Sequence, residues 1–194
     1  MRMLTAEDVV PFEEYERQRD GYRSRIIALK QRRRISIGPL ITLVFENYET
    51  LQFQIQEMIR VERIVDPEKV QDELDVYNAL MPVSGELSAT LLIEITEQER
   101  VKEWLDMFMG LDHGNTVAIR AGVEQVFGVF ETGHSHETKI SAVHFVRFRP
   151  TASMIAAFAN LHVPVTLTVH HGKYHAEAPV SGSMREEWLS DLNQ

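Results

Sequence analysis

Apolar residues change their spacing several times along the chain, and each change predicts an element. Thr5 followed by Ala6-Glu7-Asp8 reads as a helix N-cap with acids in the first turn, and Pro11 limits that short helix. Residues 12–34 read as a long helix with Gly21 as its point of interruption, and Gly38-Pro39 is a break. LITLVFE (40–46) and TLQFQI (50–55) are strand-like runs around Asn47-Tyr48-Glu49, which predicts a hairpin. QIQEMIRVERI (54–64) follows as a helix. Asp66-Pro67-Glu68 is a helix start, with Val70, Leu74, Tyr77 and Leu80 at helical spacing and Pro82 at its end. SATLLIEI (88–95) is a strand. Residues 96–99 make a capping box for a helix that faces the core with Val101, Trp104, Leu105 and Phe108 and stops at Gly110.

The remainder is mostly β. TVAIRA (116–121), EQVFGVFE (124–131) and SAVHFVRFR (141–149) are strand candidates, and Thr151 caps a short helix over 151–161. VTLTVHH (165–171) and YHAEAPV (174–180) flank Gly172-Lys173, a two-residue loop suited to a type II′ hairpin. A last helix runs from about Ser183 to Leu192. No repeat or flexible linker interrupts this order. The expected fold is one α+β domain over 1–194, mostly antiparallel sheets with an N-terminal helical segment and interspersed helices. A subdivision near 111–115 is the boundary the pattern allows.

Composition narrows the class. The 194 residues are 44% hydrophobic and 25% charged, as in soluble globular proteins. No run of about 18 apolar residues predicts a membrane span. The acidic N-terminus does not read as a signal peptide, so a cytoplasmic location is expected. The absence of cysteine excludes disulfides, thiolate metal sites and a cysteine nucleophile. The net charge of −9 argues against nucleic-acid binding. Charge is uneven, however. Residues 17–34 carry eight arginines and lysines against Asp20, while 46–112 is acidic. That basic segment is expected to lie in solvent or dock on the acidic part of its own chain.

The helix QIQEMIRVERI holds the first candidate site. With Ile55 at zero and 100° per residue, Met58, Ile59, Val61 and Val65 cover an arc from roughly 240° through zero to 40°. Glu57, Arg60 and Arg63 fall on the opposite side, with Glu57 and Arg60 as an i,i+3 pair. Glu62 falls at about 340°, inside the apolar arc. A buried carboxylate needs a cation, hydrogen bonds, a metal or a proton. An arginine is its expected partner, with a ligand-contacting or catalytic role as the alternative. Glu94 shares a face with Leu92 and Thr90, at a polar edge of the core.

All eight histidines lie between His113 and His175. His134 and His136 form an HxH pair in a Gly/Ser-rich loop. In the predicted hairpin His170 opposes His175 and Thr168 opposes Glu177. His170, His175 and Glu177 then share a face and can approach one divalent transition metal. The same pattern also fits a solvent-facing polar sheet surface. His144 alternates with Ala142 and Val146, as a half-buried strand histidine does. Glycine-rich phosphate loops, nucleophile elbows, zinc-protease helices and di-iron ExxH pairs are all missing. Acid–base chemistry by Glu62, Glu94, Tyr77 or His144 is chemically allowed, with no substrate specified.

LVFE (43–46), QIQEMIRVERI (54–64), DELDVYNALMP (72–82), ATLLIEI (89–95) and SAVHFVRF (141–148), in this order, resemble a bacterial family of unknown function, the one numbered thirty-five-oh-one. The motif positions are Gln56, Glu57, Arg60, Glu62, Arg63, Glu94, His144 and Arg147. The resemblance attaches no catalytic role to any of them. It implies genes beside those of rubrerythrin-like proteins and iron–sulfur oxidoreductases. The expected function is a cytoplasmic accessory or binding protein in peroxide and iron redox physiology. Such a protein would take a rubrerythrin-like or iron–sulfur partner, which would hold the redox metal. A homo-oligomer is also allowed. The alternative is a metal-dependent or acid–base enzyme.

Overall fold

A computed structural model describes residues 2–131 and 140–193, the side chain of Gln98 apart. Thr5 opens a short 3-10 turn over Ala6–Asp8, where Asp8 accepts from the Thr5 backbone N–H at 2.8 Å. Helix α1 (Phe12–Arg33) then runs unbroken through Gly21, against expectation. One glycine costs a helix about 1 kcal/mol relative to alanine. Buried Tyr15 on one side of it and Ile26 and Leu29 on the other hold both halves to the body.

The first hairpin also differs from the expected one. It joins β1 (Arg34–Ile37) to β2 (Ile41–Glu46) around Gly38. TLQFQI is helical, inside α2 (Tyr48–Glu62). Asn47 decides this locally: its side chain accepts the Thr50 N–H at 3.0 Å, and Thr50 Oγ1 accepts the Asn47 N–H at 2.9 Å. Leu51, Ile55 and Ile59 then bury one stripe at i,i+4 spacing. Helix α3 (Pro67–Ala79) begins as expected, with Asp66 accepting the Glu68 N–H.

Strand β3 (Leu87–Ile93) precedes α4 (Val101–Met107). Thr96 does not cap that helix. A 3-10 turn over Gln98–Arg100 comes first, and Arg100, bound to Glu97 and Glu103, stands before α4. Strands β4 (Val117–Ala121), β5 (Glu124–Phe127), β6 (Val129–Phe130) and β7 (Val143–Phe148) follow. Then come α5 (Ala152–Ala159), β8 (Val165–His171), β9 (Tyr174–Pro179) and α6 (Gly182–Leu192).

Among the described residues the fold is α+β, with six α-helices and two antiparallel sheets ordered β1-β2-β3-β7-β6 and β5-β4-β8-β9. The run EQVFGVFE is shared: Gly128 bends it so that β5 pairs with β4 in one sheet and β6 with β7 in the other. At the opposite margin β1 meets β9, where Tyr174 Oη donates to the Ile37 carbonyl at 2.5 Å. The two sheets therefore wrap one core like a flattened barrel. Leu43, Leu91 and His144 stand in one row across the first sheet's inner face, and Ile119 and Leu167 pair on the second. Trp188 and Phe158 close one end of this core, with Trp188 4.7 Å from the Phe45 ring. A smaller cluster under α2 and α3 gathers Leu4, Leu51, Ile55, Ile59, Leu74 and Leu80 against Phe145 of the first sheet. Both clusters are driven by loss of apolar surface from water.

The basic segment docks on its own chain. Arg19, Arg25, Arg32, Arg33 and Arg34 pair with Glu57, Glu49, Glu187, Asp191 and Glu94. No described helix is long and apolar enough to cross a membrane.

Candidate functional site

The residues of QIQEMIRVERI divide between two tasks. Gln56 is buried and clamps the chain before α1: its Oε1 accepts the Val10 N–H at 2.8 Å and its Nε2 donates to the Val10 carbonyl at 2.9 Å. Glu57 was expected in solvent but faces α1. It accepts Tyr15 Oη at 2.7 Å and both Nε and Nη2 of Arg19 at 2.8 Å, with Arg60 at 3.3 Å beside it. Arg60 reaches Glu16 at 3.3 Å as well. The charge-assisted bonds from Arg19 hold the Glu57 carboxyl down at about 2. This pKa is depressed relative to the unfolded chain, so the stability it brings is present above about pH 4.3 and lost as pH falls towards 2. A Glu57→Gln variant should lose less of its remaining stability than wild type between about pH 5 and about pH 3, read by urea unfolding.

The second task belongs to the end of the helix. Glu62 is exposed, which corrects the expectation that it is buried against an arginine, and no ion pair holds it among the described residues. Its angle on the helix agrees with the buried stripe, but the last turn runs past the elements that cover Ile55 and Ile59. Val61 is 65% exposed and Val65 86% for the same reason. Arg63 ends α2 at φ +52, and among the described residues no other non-glycine has positive φ. Glycine is the usual residue there because it has no Cβ to clash. The resulting elbow, residues 62–66, separates two open grooves. One, of about 320 Å³, is lined by Glu62, Asp66, Asp72 and Glu73 against Arg63 and Lys69. The other, of about 500 Å³, is mainly apolar and lined by Phe12, Ile64 and Val65 with Glu13 and Arg63. Phe12 is itself 45% exposed.

The remaining candidates lie elsewhere. Glu94 accepts Thr42 Oγ1 and Arg34 Nη2, each at 2.6 Å, which lowers its pKa. Arg147 ties the end of α3 to the first sheet: it donates to the Ala79 and Met81 carbonyls and pairs with Glu131 at 2.8 Å and Glu86 at 3.4 Å. His144 is fully buried on the inner face of β7, edge-to-face with Phe130 at a ring-centroid distance of 6.0 Å. The β8–β9 register is the one expected, with His170 opposite His175 and ring centroids 5.2 Å apart. Glu177 is engaged by Arg120 at 2.8 Å. Among the described residues no three potential ligands already stand together as a metal centre. His134 and His136 lie outside the described residues.

Sequence reasoning missed Tyr15, Arg19 and Phe12, whose roles depend on residues of α2 and the elbow, far along the chain. It also passed over Asp112. This residue stands in the loop after α4, with Oδ2 3.9 Å from His144 Nδ1 and Oδ1 3.9 Å from His113 Nδ1. The one local signal for it is the adjacent His113.

Comparison with known proteins follows the fold rather than an activity. No curated protein matches significantly. The chain is similar to the crystal structure of a novel protein of unknown function from Burkholderia pseudomallei K96243, solved at 1.90 Å resolution. The two are 31% identical with a TM-score of 0.89, over 98% of this chain and 100% of that one. The model of the family described as protein of unknown function, DUF3501, matches residues 3–192, and the chain belongs to that family.

Proposed function

We propose that this chain is an accessory protein that docks a redox partner through the elbow between α2 and α3. One observation carries the reading: an arginine holds a left-handed backbone position between an acidic groove and an apolar one. A bulky residue at positive φ costs about 1–2 kcal/mol relative to relaxed backbone. Such strain tends to persist where a side chain has work to do. Exposed Phe12 and Val65, with Ile64, form an apolar centre. Charged residues surround it, as in docking surfaces, where aromatic and arginine side chains concentrate the binding energy.

Carboxylates outnumber cations around the elbow, so the fitting partner segment is apolar and flanked by lysine or arginine. The family resemblance supplies the class of partner, a rubrerythrin-like or iron–sulfur protein encoded nearby. In this reading the electron chemistry stays on the partner.

The test separates stability from binding. Arg63→Gly relieves the backbone, so its thermal midpoint should rise by a few degrees. The same change removes the guanidinium, so affinity for the purified partner should fall by about tenfold. A variant that gains stability and keeps full affinity would remove Arg63 from the interface.

A further inference from the structure

Helix α1 carries a glycine that its own packing does not require. Gly21 stands in mid-helix without positive φ, and no atom lies within 4 Å of the place its Cβ would take. Alanine would make the better helix there. Neither the backbone nor a neighbouring atom accounts for the missing side chain. What Gly21 does border is a groove of about 390 Å³ between α1 and α2, with Val10, Tyr15, Gln18, Tyr22, Arg25 and Gln52 as its other walls. That volume is of the size that takes a small molecule. A side chain at position 21 would stand in this space.

The polar groups of the groove are arranged in advance. Tyr22 is a fixed wall: its ring meets Tyr15 edge-on at 6.2 Å and Phe53 at 5.5 Å. Its hydroxyl donates to Gln52 Oε1 at 3.3 Å, and Gln52 Nε2 donates to the Asp8 carbonyl at 3.1 Å. Arg25 is laid over this wall, with Cζ 5.0 Å from the Tyr22 ring centroid. Stacking restricts a guanidinium and leaves its in-plane donors turned outward, in the fork that matches a carboxylate.

The chain itself does not fill that fork. Glu49 is 3.7 Å from Arg25, beyond hydrogen-bond length, and the two side chains are 49% and 66% exposed. Arg19 and Arg33 of the same helix instead fork onto their own carboxylates at 2.7–2.8 Å. Gln18 brings a side-chain amide with no partner among the described residues. Arg17 and Arg23 make no ion pair among the described residues and add positive potential along this stretch.

We infer that this groove binds a small aromatic carboxylate. Its ring lies in the space that Gly21 leaves open beside Tyr22 and Val10, and its carboxylate accepts from the Arg25 fork and the Gln18 amide. The groove shares no lining residue with the two at the elbow, so it stands or falls apart from the docking role.

The test titrates the full isotope-labelled chain with benzoate, and with benzamide as the uncharged match in shape, read by amide shifts in NMR. Benzoate should bind with a Kd of about 1 mM or tighter, and the shifts should centre on Gly21, Tyr22, Arg25 and Gln52. Benzamide should bind at least about tenfold more weakly. Arg25→Gln should lose about as much at an unchanged thermal midpoint, because its side chain is exposed. Gly21→Leu should abolish binding without lowering the midpoint, since leucine is the better helix former. No benzoate binding by wild type, equal binding of benzamide, or shifts centred elsewhere would overturn the assignment. Wild-type affinity in Gly21→Leu or in Arg25→Gln would do the same.

Discussion

Replacing Arg33 by alanine is expected to destabilise the protein by about 3–5 kcal/mol, the cost of stranding a buried charge. Arg33 is the last residue of α1, and its side chain is 1% exposed. It forks onto Asp191 of α6 at 2.7 and 2.8 Å, bonds Glu187 at 3.1 Å and donates to the Phe45 carbonyl at 3.3 Å. Asp191 is 3% exposed on its side chain. Without the guanidinium the buried Asp191 carboxylate loses its cation beside a second carboxylate, Glu187. Arg32→Ala is the control, because Arg32 bonds the same Glu187 from a side chain that is 51% exposed. Exposed pairs contribute about 0–1 kcal/mol. Urea unfolding of both variants reads the difference, and equal losses would show that burial does not set the cost. The pair joins the two ends of the chain, so its loss should also loosen the helix that positions Phe12 and Tyr15.

Gly128→Ala is expected to cost up to about 3 kcal/mol, by overpacking. A Cβ at this position would lie 2.4 Å from Val146 Cγ2 and 2.9 Å from Phe148 Cε1, both on fully buried residues. Those neighbours belong to the rigid inner face of β7 and cannot step aside like the end of an exposed chain. Gly128 is where one strand passes from the first sheet to the second, so the clash falls on the corner that closes the core. Gly21→Ala is the useful contrast. No atom lies within 4 Å of the site of its Cβ, so alanine there should stabilise α1 by up to about 1 kcal/mol. A thermal melt of the two variants should therefore show shifts of opposite sign.

Much of the fold was legible because its signals are local. Asp66-Pro67 marked the start of α3, and Gly172-Lys173 set the register of β8 and β9, down to His170 opposite His175. The α+β class followed from alternating runs between capped helices. TLQFQI misled because Leu51, Phe53 and Ile55 alternate like a strand, while Leu51, Ile55 and Ile59 also repeat like a helix. Asn47 and Thr50 break the tie through reciprocal hydrogen bonds, a signal lying just outside the apolar pattern.

The site was less legible. The angular position of Glu62 followed from the sequence, but angle alone does not say where along a helix its cover ends. Glu57 lies opposite the apolar stripe and would face water on an isolated helix. It is partly buried because α1 brings Tyr15 and Arg19 against it. The pairing of Asp112 with His144 joins a loop to a strand 32 residues away, so neither periodicity nor spacing marks it.

The central claim is that the elbow is a docking surface, and one titration tests it most directly. A purified rubrerythrin-like or iron–sulfur protein, the proposed partner, would be titrated calorimetrically into wild type and into Val65→Asp. Val65 is 86% exposed, so the change should leave the melting temperature where it is. The account predicts micromolar or tighter binding by wild type and at least about a tenfold loss in the variant, because a charge is set in the apolar centre. No binding by wild type, or equal binding by both proteins, would contradict it.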